Sequence, residues 1–491
     1  MASSFVERIA RGVKATFAAN VVDMAANAAL VLLLTRVLLT PDQFGTLNFA
    51  LAAMSVVAIL ATLGIPKSAG RYVTQFVESD PGLVPHVVRR SLAFLLASSA
   101  VVAVGVVALG RPVATLVGQE SLVPFLGIGA AYVVATALTQ YVRELLRAFG
   151  RVEWSGIVRV VTGVGRVAGV VALVGLGFGI AGALAGYVVG YAVAALVGGG
   201  LLYVRLYRTY DPDPDPEAGL SRRIAEYSVP LTATRGANVL DKRVDVLLVG
   251  ALLDMTAVGF YTVAKQVSDF VSMPASSFGF TVSPALSEQR ERGETDRAAR
   301  VYERSLTYVL LAYVPAVTGL ALVAGPMVRY VFGADYLGAV PVVQVYAGFI
   351  LVNAVNKVTS DGLDYLGRAR SRAVIKSAMA VANAVLNLIL IPRLGVVGAA
   401  LATVITYTVY TGSNVYFIHQ ELSFEPGRVV RALATVCLVT VGMALSVWVA
   451  LPYVSGIATL LATVLLGVVV WAVLSVAGGV LDPEEVADIL G

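Results

Sequence analysis

The sequence predicts an all-α polytopic integral membrane protein of about 14 transmembrane helices, arranged as two six-helix lobes plus two C-terminal helices. Three observations predict it: the apolar content, the recurrence of long uncharged runs, and a weak internal repeat. Of 491 residues, 58% are apolar and 14% charged, and the mean hydropathy is +0.82. That is about 285 apolar residues, enough for about fourteen spans of about twenty residues each. A soluble chain carries about 25% charged residues and needs polar surface on every domain, so a string of soluble domains is excluded. The single cysteine, Cys437, excludes an intrachain disulfide framework and multi-cysteine metal or redox sites. With only His86 and His419, histidine-based zinc sites are poorly supported, and no cofactor or metal is expected.

Uncharged runs long enough to cross a bilayer fall at 45–63, 91–110, 121–142, 175–204, 305–327, 336–356 and 394–419, and 432–481 holds two more on either side of Leu451-Pro452. Apolar segments with a few polar interruptions near 12–36, 155–174, 224–250, 256–284 and 371–391 complete the set. Residues 1–14 read as a short amphipathic segment, with Phe5, Val6 and Ile9 opposite Arg8 and Arg11. They lack an h-region and a small-residue cleavage site, so the first span is expected to be retained. Assigning loops alternately, one side receives Arg8, Arg11, Lys14, Lys67, Arg71, Arg89, Arg90, Arg143, Arg147, Arg151 and the later basic loops through Arg428 and Arg431. The other side has Arg36, Arg111, Arg329 and Arg393. Basic loops stay in the cytoplasm, so the expectation is a multi-pass plasma-membrane protein with the N-terminus and, after an even number of spans, the acidic tail at 482–488 both cytoplasmic. The net charge of +5 is then mostly topological and predicts no nucleic-acid partner.

Three short matches recur at nearly one offset. Phe44-Gly45-Thr46-Leu47 resembles Val258-Gly259-Phe260-Tyr261; Leu146-x-x-x-Gly150-Arg151 matches Leu363-x-x-x-Gly367-Arg368; Gly179-x-x-Gly182-Ala183 matches Gly395-x-x-Gly398-Ala399. The repeat predicts lobes at 1–204 and 224–419, a cytoplasmic linker at 205–223 and two extra helices with the tail at 420–491. Two lobes of equal orientation suit a transporter in which one bundle rocks against the other about a site near the midplane. A structural membrane protein has no need of the duplication.

At this point the residues resemble a family. Arg36-Val37-Leu38 followed by Pro41, Phe44 and Gly45, then Leu63-Gly64-Ile65 with Arg71, is similar to the start of polysaccharide and oligosaccharide flippases of the MATE-like superfamily of multidrug, oligosaccharidyl-lipid and polysaccharide exporters. Tyr227-Ser228-x-Pro230, Asp245-x-x-x-x-Gly250, Val258-Gly259-x-Tyr261 and Val331-Phe332-Gly333 with Tyr336 and Ala339 continue the resemblance into the second half. It implies a non-enzymatic carrier that moves a polyprenyl-linked oligosaccharide from the cytoplasmic to the outer leaflet. The alternatives are an ion-coupled exporter of small amphipathic molecules and, less favoured, a membrane-embedded glycosyltransferase. The two extra helices favour the flippases, and the short outer loops argue against the transferase. Glycine-rich stretches such as Gly163-Val164-Gly165 and Gly198-Gly199-Gly200 lack the Lys-Ser/Thr of a phosphate loop and read as helix packing.

Ionisable groups at membrane depth are expensive and therefore candidates for function. A (pyro)phosphate at the junction of sugar and lipid pairs with Arg or Lys by charge-assisted hydrogen bonds. The residues expected in that role are Arg166, Arg235, Lys242, Arg243, Lys265 and Lys357. Asn20, Asn27 and Asn238 are candidates for sugar hydroxyls, and Asp23 for a coupling cation or proton, since desolvation raises the pKa of a carboxyl at depth. The competing reading is structural. Asp241 and Asp245 neutralise Lys242 and Arg243, the asparagines bond neighbouring helices, and Arg159 and Lys376 snorkel. The expected partners are the bilayer, the lipid-linked oligosaccharide and a coupling cation, with the protein itself monomeric.

Overall fold

The computed structural model describes residues 2–116, 118–214, 219–292, 294–365 and 368–479, with side chains from residue 16 onward except 276–287, 289–291, 365 and 369. The amphipathic face expected of residues 1–14, the repeat position Gly367 and the acidic tail at 482–488 lie outside the described residues. Among the described residues the chain is all-helical, with no strand.

By packing it divides into two compact units, Met1–Thr256 and Ala257–Gly491. The first holds α1 (Ala2–Leu33), α2 (Pro41–Thr62), α3 (Ile65–Ser79), α4 (Val84–Leu116), α5 (Leu126–Ala148), α6 (Val152–Leu173), α7 (Gly179–Arg205) and α8 (Leu220–Leu252). The second is built from α9 (Met255–Glu291), α10 (Thr295–Met327), α11 (Val340–Tyr365), α12 (Ala369–Leu394), α13 (Val396–Leu422), α14 (Pro426–Ala450) and α15 (Ile457–Ala477). Eleven helical stretches are long and apolar enough to cross a membrane. Large apolar side chains stand exposed along them, among them Leu116, Leu196, Leu438 and Leu465. Hydrocarbon accepts such a surface and water does not. One stretch, Val152–Thr209, contains both α6 and α7. α8 and α9 are too polar to be among the eleven.

Local chemistry fixes the joints. Thr40 caps α2: its hydroxyl accepts from the Gln43 amide at 3.4 Å while the Gln43 side chain accepts from the Thr40 amide at 3.1 Å, and Pro41 supplies a preset first turn. At the other end Leu63 and Gly64 turn left-handed, with φ of 43° and 68°. A side chain at Gly64 would place its Cβ 2.5 Å from the Ser228 carbonyl of α8, so glycine is required twice over. α3 follows as an amphipathic helix, burying Ile65, Ala69, Tyr72, Val73 and Phe76 and exposing Lys67 and Arg71.

The repeat has a local structural signature. Gly179 and Gly395, 216 residues apart, open α7 and α13 with nearly the same backbone, φ 51° ψ −131° and φ 61° ψ −145°. Three residues on, a Cβ at Gly182 would lie 2.9 Å from the Leu173 carbonyl, and one at Gly398 would lie 2.3 Å from that of Leu390. In both places the helix folds back so tightly on its predecessor that only glycine fits.

In the second unit α10, α11 and α13 enclose a core around Tyr302, Tyr313, Ile350 and Ile418, with α14 and α15 packed on α10 and on each other. Two buried polar pairs cross it: Tyr302 with Thr359 at 2.9 Å, and Asn414 donating to Asn356 at 2.9 Å.

Candidate functional site

The site in the first unit begins with small residues. α6 carries Gly165 and Gly169, and α7 carries Gly186 and Gly190. Such small-x-x-x-small pairs let helix backbones touch. A Cβ at Gly186 would lie 2.4 Å from the Val170 nitrogen, and one at Gly190 would lie 2.5 Å from that of Arg166. On its other flank α6 meets α1 at Gly163, where a Cβ would lie 3.1 Å from Asp23 Oδ1 and 3.3 Å from Ala26. These glycines bring Arg166 close to two helices at once.

Arg166 Nη2 donates to Asp23 Oδ1 at 3.0 Å, with the two side chains 12% and 35% exposed. The guanidinium also lies over two rings of α7, 5.6 Å from the Tyr187 centroid and 5.9 Å from that of Tyr191. Tyr191 meets Tyr132 of α5 edge to face at 5.6 Å, and its carbonyl accepts from Thr139 at 2.8 Å. Arg243 of α8 acts electrostatically on the hydroxyls of Tyr132 and Tyr187. Arg143 of α5 is within electrostatic reach of Arg159, Arg147 and Asp23.

These positions form a ladder of cations. Arg147 stands at the end of α5 and Arg143 one turn further in. Arg159 lies about 10 Å and Arg166 about 21 Å along α6, at 1.5 Å per residue. Asp23 is the carboxylate that meets the deep end. Arg143 Nε and Arg166 Nε are buried without a hydrogen-bond partner among the described residues, as is Gln140 Oε1. Both arginines thus keep a donor unused at a depth where unpaired donors are costly.

Beside the ladder's entrance is a polar cavity of about 360 Å³ lined by Lys67 and Arg71 of α3, Glu144 and Arg147 of α5 and Tyr227 of α8. Arg71 lies over the Tyr227 ring at 4.0 Å, and Arg147 pairs with Glu144 at 3.1 Å. Arg235 of α8 interacts with the same Glu144, and its Nε is buried without a partner.

Of the residues singled out from sequence, Asp23, Arg166 and Arg243 come together here. Arg235 joins through Glu144. Asn20 and Asn238 are exposed on α1 and α8; Asn27 is half-buried, Lys242 is exposed, and both have polar partners of their own. Lys265 on α9 and Lys357 on α11 are half-buried in the second unit, where Lys357 follows the buried Asn356. The sequence reading missed Tyr132, Tyr187 and Tyr191, and gave Arg143 and Arg147 only a topological role. The available signal was the run Gly186-Tyr187-x-x-Gly190-Tyr191, which sets two rings one turn apart beside two glycines.

Comparison with known proteins agrees with this architecture. Over 181 residues the chain is 26% identical to a probable low-salt glycan biosynthesis flippase, Agl15, of Haloferax volcanii, a match covering 37% of this chain and 38% of that protein. The chain thus spans about two fifths of the length of that curated relative. Among solved structures, the lipid II flippase MurJ in an inward closed conformation superposes with a TM-score of 0.73 at 13% identity, covering 94% of this chain and 97% of that one. An inward-facing multidrug resistance MATE family transporter of the MOP superfamily gives 0.68 at 15% identity, covering 82% and 94%. At these identities the likeness is one of fold. The model of the polysaccharide biosynthesis protein family matches residues 33–341, more than half of the chain, and the chain belongs to that family.

Proposed function

We propose that the protein is a flippase that carries a polyprenyl-(pyro)phosphate-linked oligosaccharide from the cytoplasmic to the outer leaflet by alternating access. The observation that supports it most is the cation ladder, Arg147, Arg143, Arg159 and Arg166 with Arg243 beyond, against two carboxylates, Glu144 at its entrance and Asp23 at its deep end. A phosphodiester or pyrophosphate offers several acceptor oxygens to such donors, and tyrosine rings offer flat surfaces to sugar. The name of the Haloferax relative points the same way.

In this reading the phosphate enters past Lys67 and Arg71, moves inward along the arginines and displaces Asp23 from Arg166. The freed carboxylate then takes a proton or a cation, which couples the step to an ion. Lys242, Lys265 and Lys357 are further candidates for the phosphate, and Asn20, Asn27 and Asn238 for sugar hydroxyls. The lobes run 1–204 and 224–419, joined by 205–223 and followed by 420–491. Fourteen spans follow if α6 and α7 count separately and α8 and α9 cross as well. Both termini are cytoplasmic, and the protein works as a monomer. Export of small amphipathic cations is disfavoured, because four or five guanidiniums repel them. The test is the sidedness of lipid-linked glycan in cells lacking the gene: accumulation on the cytoplasmic face supports the proposal, and unchanged sidedness with normal surface glycans removes it.

A further inference from the structure

A second cavity, of about 520 Å³, opens on the outside of the first unit between α4, α5 and α7. Its size is within the range of pockets that take a small apolar ligand, about 300–1,000 Å³. Leu92, Leu138, Val142 and Gly199 line it, flanked by exposed Leu96 and Leu196. Position 199 faces open space: a Cβ there would meet only Val142, at 4.0 Å, so a larger side chain would project into the groove. One end is not apolar. Arg89, Tyr203 and Tyr207 close it, and Arg208 stands there with its guanidinium 6.0 Å from the Tyr203 centroid. Arg89 and Arg208 are both exposed and make no ion pair among the described residues.

We propose that this groove is a binding site for one anionic membrane lipid, its hydrocarbon chain in the groove and its phosphate between Arg89 and Arg208. An apolar trough capped by two uncompensated cations and two amphipathic rings matches a chain attached to an anionic headgroup. The occupant is a resident lipid and not the tail of a transported one, because the groove and the ladder use different faces of the same helix. On α5 the ladder side is Tyr132, Thr139 and Arg143, and the groove side is Leu138, Tyr141 and Val142. At 3.6 residues per turn the two faces are roughly 130° apart. A lipid seated there braces α5 against α7, the two helices that hold Tyr132 and Tyr191.

The test is native mass spectrometry of the full-length protein in detergent, titrated with phosphatidylglycerol and, separately, phosphatidylcholine. The expected result is one phosphatidylglycerol retained in preference to phosphatidylcholine. Arg89→Gln with Arg208→Gln should lower that preference about thirty-fold, from about fivefold per basic residue at an anionic surface. Gly199→Leu should abolish retention of both lipids, while Arg111→Gln, on α4 about 33 Å along the helix from Arg89, changes nothing. Equal retention of the two lipids, an unchanged preference in the double arginine variant, or displacement of the retained lipid by farnesyl diphosphate would each overturn the proposal. None of these readouts depends on transport, so failure here leaves the flippase reading standing.

Discussion

If the substrate phosphate takes Arg166 away from Asp23, removing the carboxylate removes a competitor. The magnitude follows from the geometry. At 3.0 Å the Coulomb attraction is about 5.5 kcal/mol at an effective dielectric constant of about 20 and about 1.4 kcal/mol in water. Asp23 is 35% exposed, and separating the pair returns part of its desolvation cost, so the net coupling is about 1–3 kcal/mol. Asp23→Asn should therefore tighten binding of a prenyl diphosphate by about 5- to 150-fold, and Arg166→Gln should weaken it by a similar factor. Microscale thermophoresis of the purified protein with farnesyl diphosphate measures both. The double variant should bind like Arg166→Gln alone, since the carboxylate acts through the arginine. If Asp23→Asn weakens binding as much as Arg166→Gln, the carboxylate contacts the ligand directly and the exchange mechanism is wrong.

Other outcomes follow from the same geometry. Gly186→Ala puts a methyl 2.4 Å from the Val170 nitrogen and should lower thermal stability by about 1–3 kcal/mol through overpacking. Gly398→Ala, against the Leu390 carbonyl at 2.3 Å, should do the same in the second unit. Full stability in both variants would refute the close approach. Asn414→Ala strands the buried Asn356 carbonyl oxygen and should cost about 1–3 kcal/mol in a melting experiment. Arg235→Gln and Lys242→Gln should each reduce glycan export in cells without changing the melting temperature; wild-type export in both would detach α8 from the substrate path. With Cys437 replaced by serine, a single cysteine at Asp213 should be protected from an impermeant thiol reagent in intact cells and one at Arg329 should react, as the charge asymmetry requires.

The all-helical membrane character was legible because it rests on composition and on run length, which survive any packing. The repeat was legible because Gly179 and Gly395 are dictated locally by a backbone that other residues strain to adopt. α3 was not recognised: its apolar run is interrupted once per turn by Lys67, Arg71 and Thr74 on the polar face, and a fifteen-residue amphipathic helix looks like a loop to a search for twenty-residue runs. The pairing of Asp23 with Arg166 was hidden for a different reason. The two residues are 143 positions apart and were assigned separate roles, and what joins them is the missing side chain at Gly163. The tyrosines escaped notice because a search for charge at depth passes over rings, although the rings of Tyr187 and Tyr191 share the buried guanidinium with Asp23.

Under the proposed function a phosphate-bearing glycolipid crosses the membrane along the buried arginines of this chain. The most direct test is reconstitution of the protein into vesicles carrying a fluorescent prenyl-diphosphate-linked oligosaccharide, with the outer-leaflet fraction read by membrane-impermeant quenching. Protein-dependent exchange between leaflets is expected, slowed at least tenfold by Arg166→Gln. Exchange no faster than in protein-free vesicles, or exchange that Arg166→Gln leaves untouched, would contradict it.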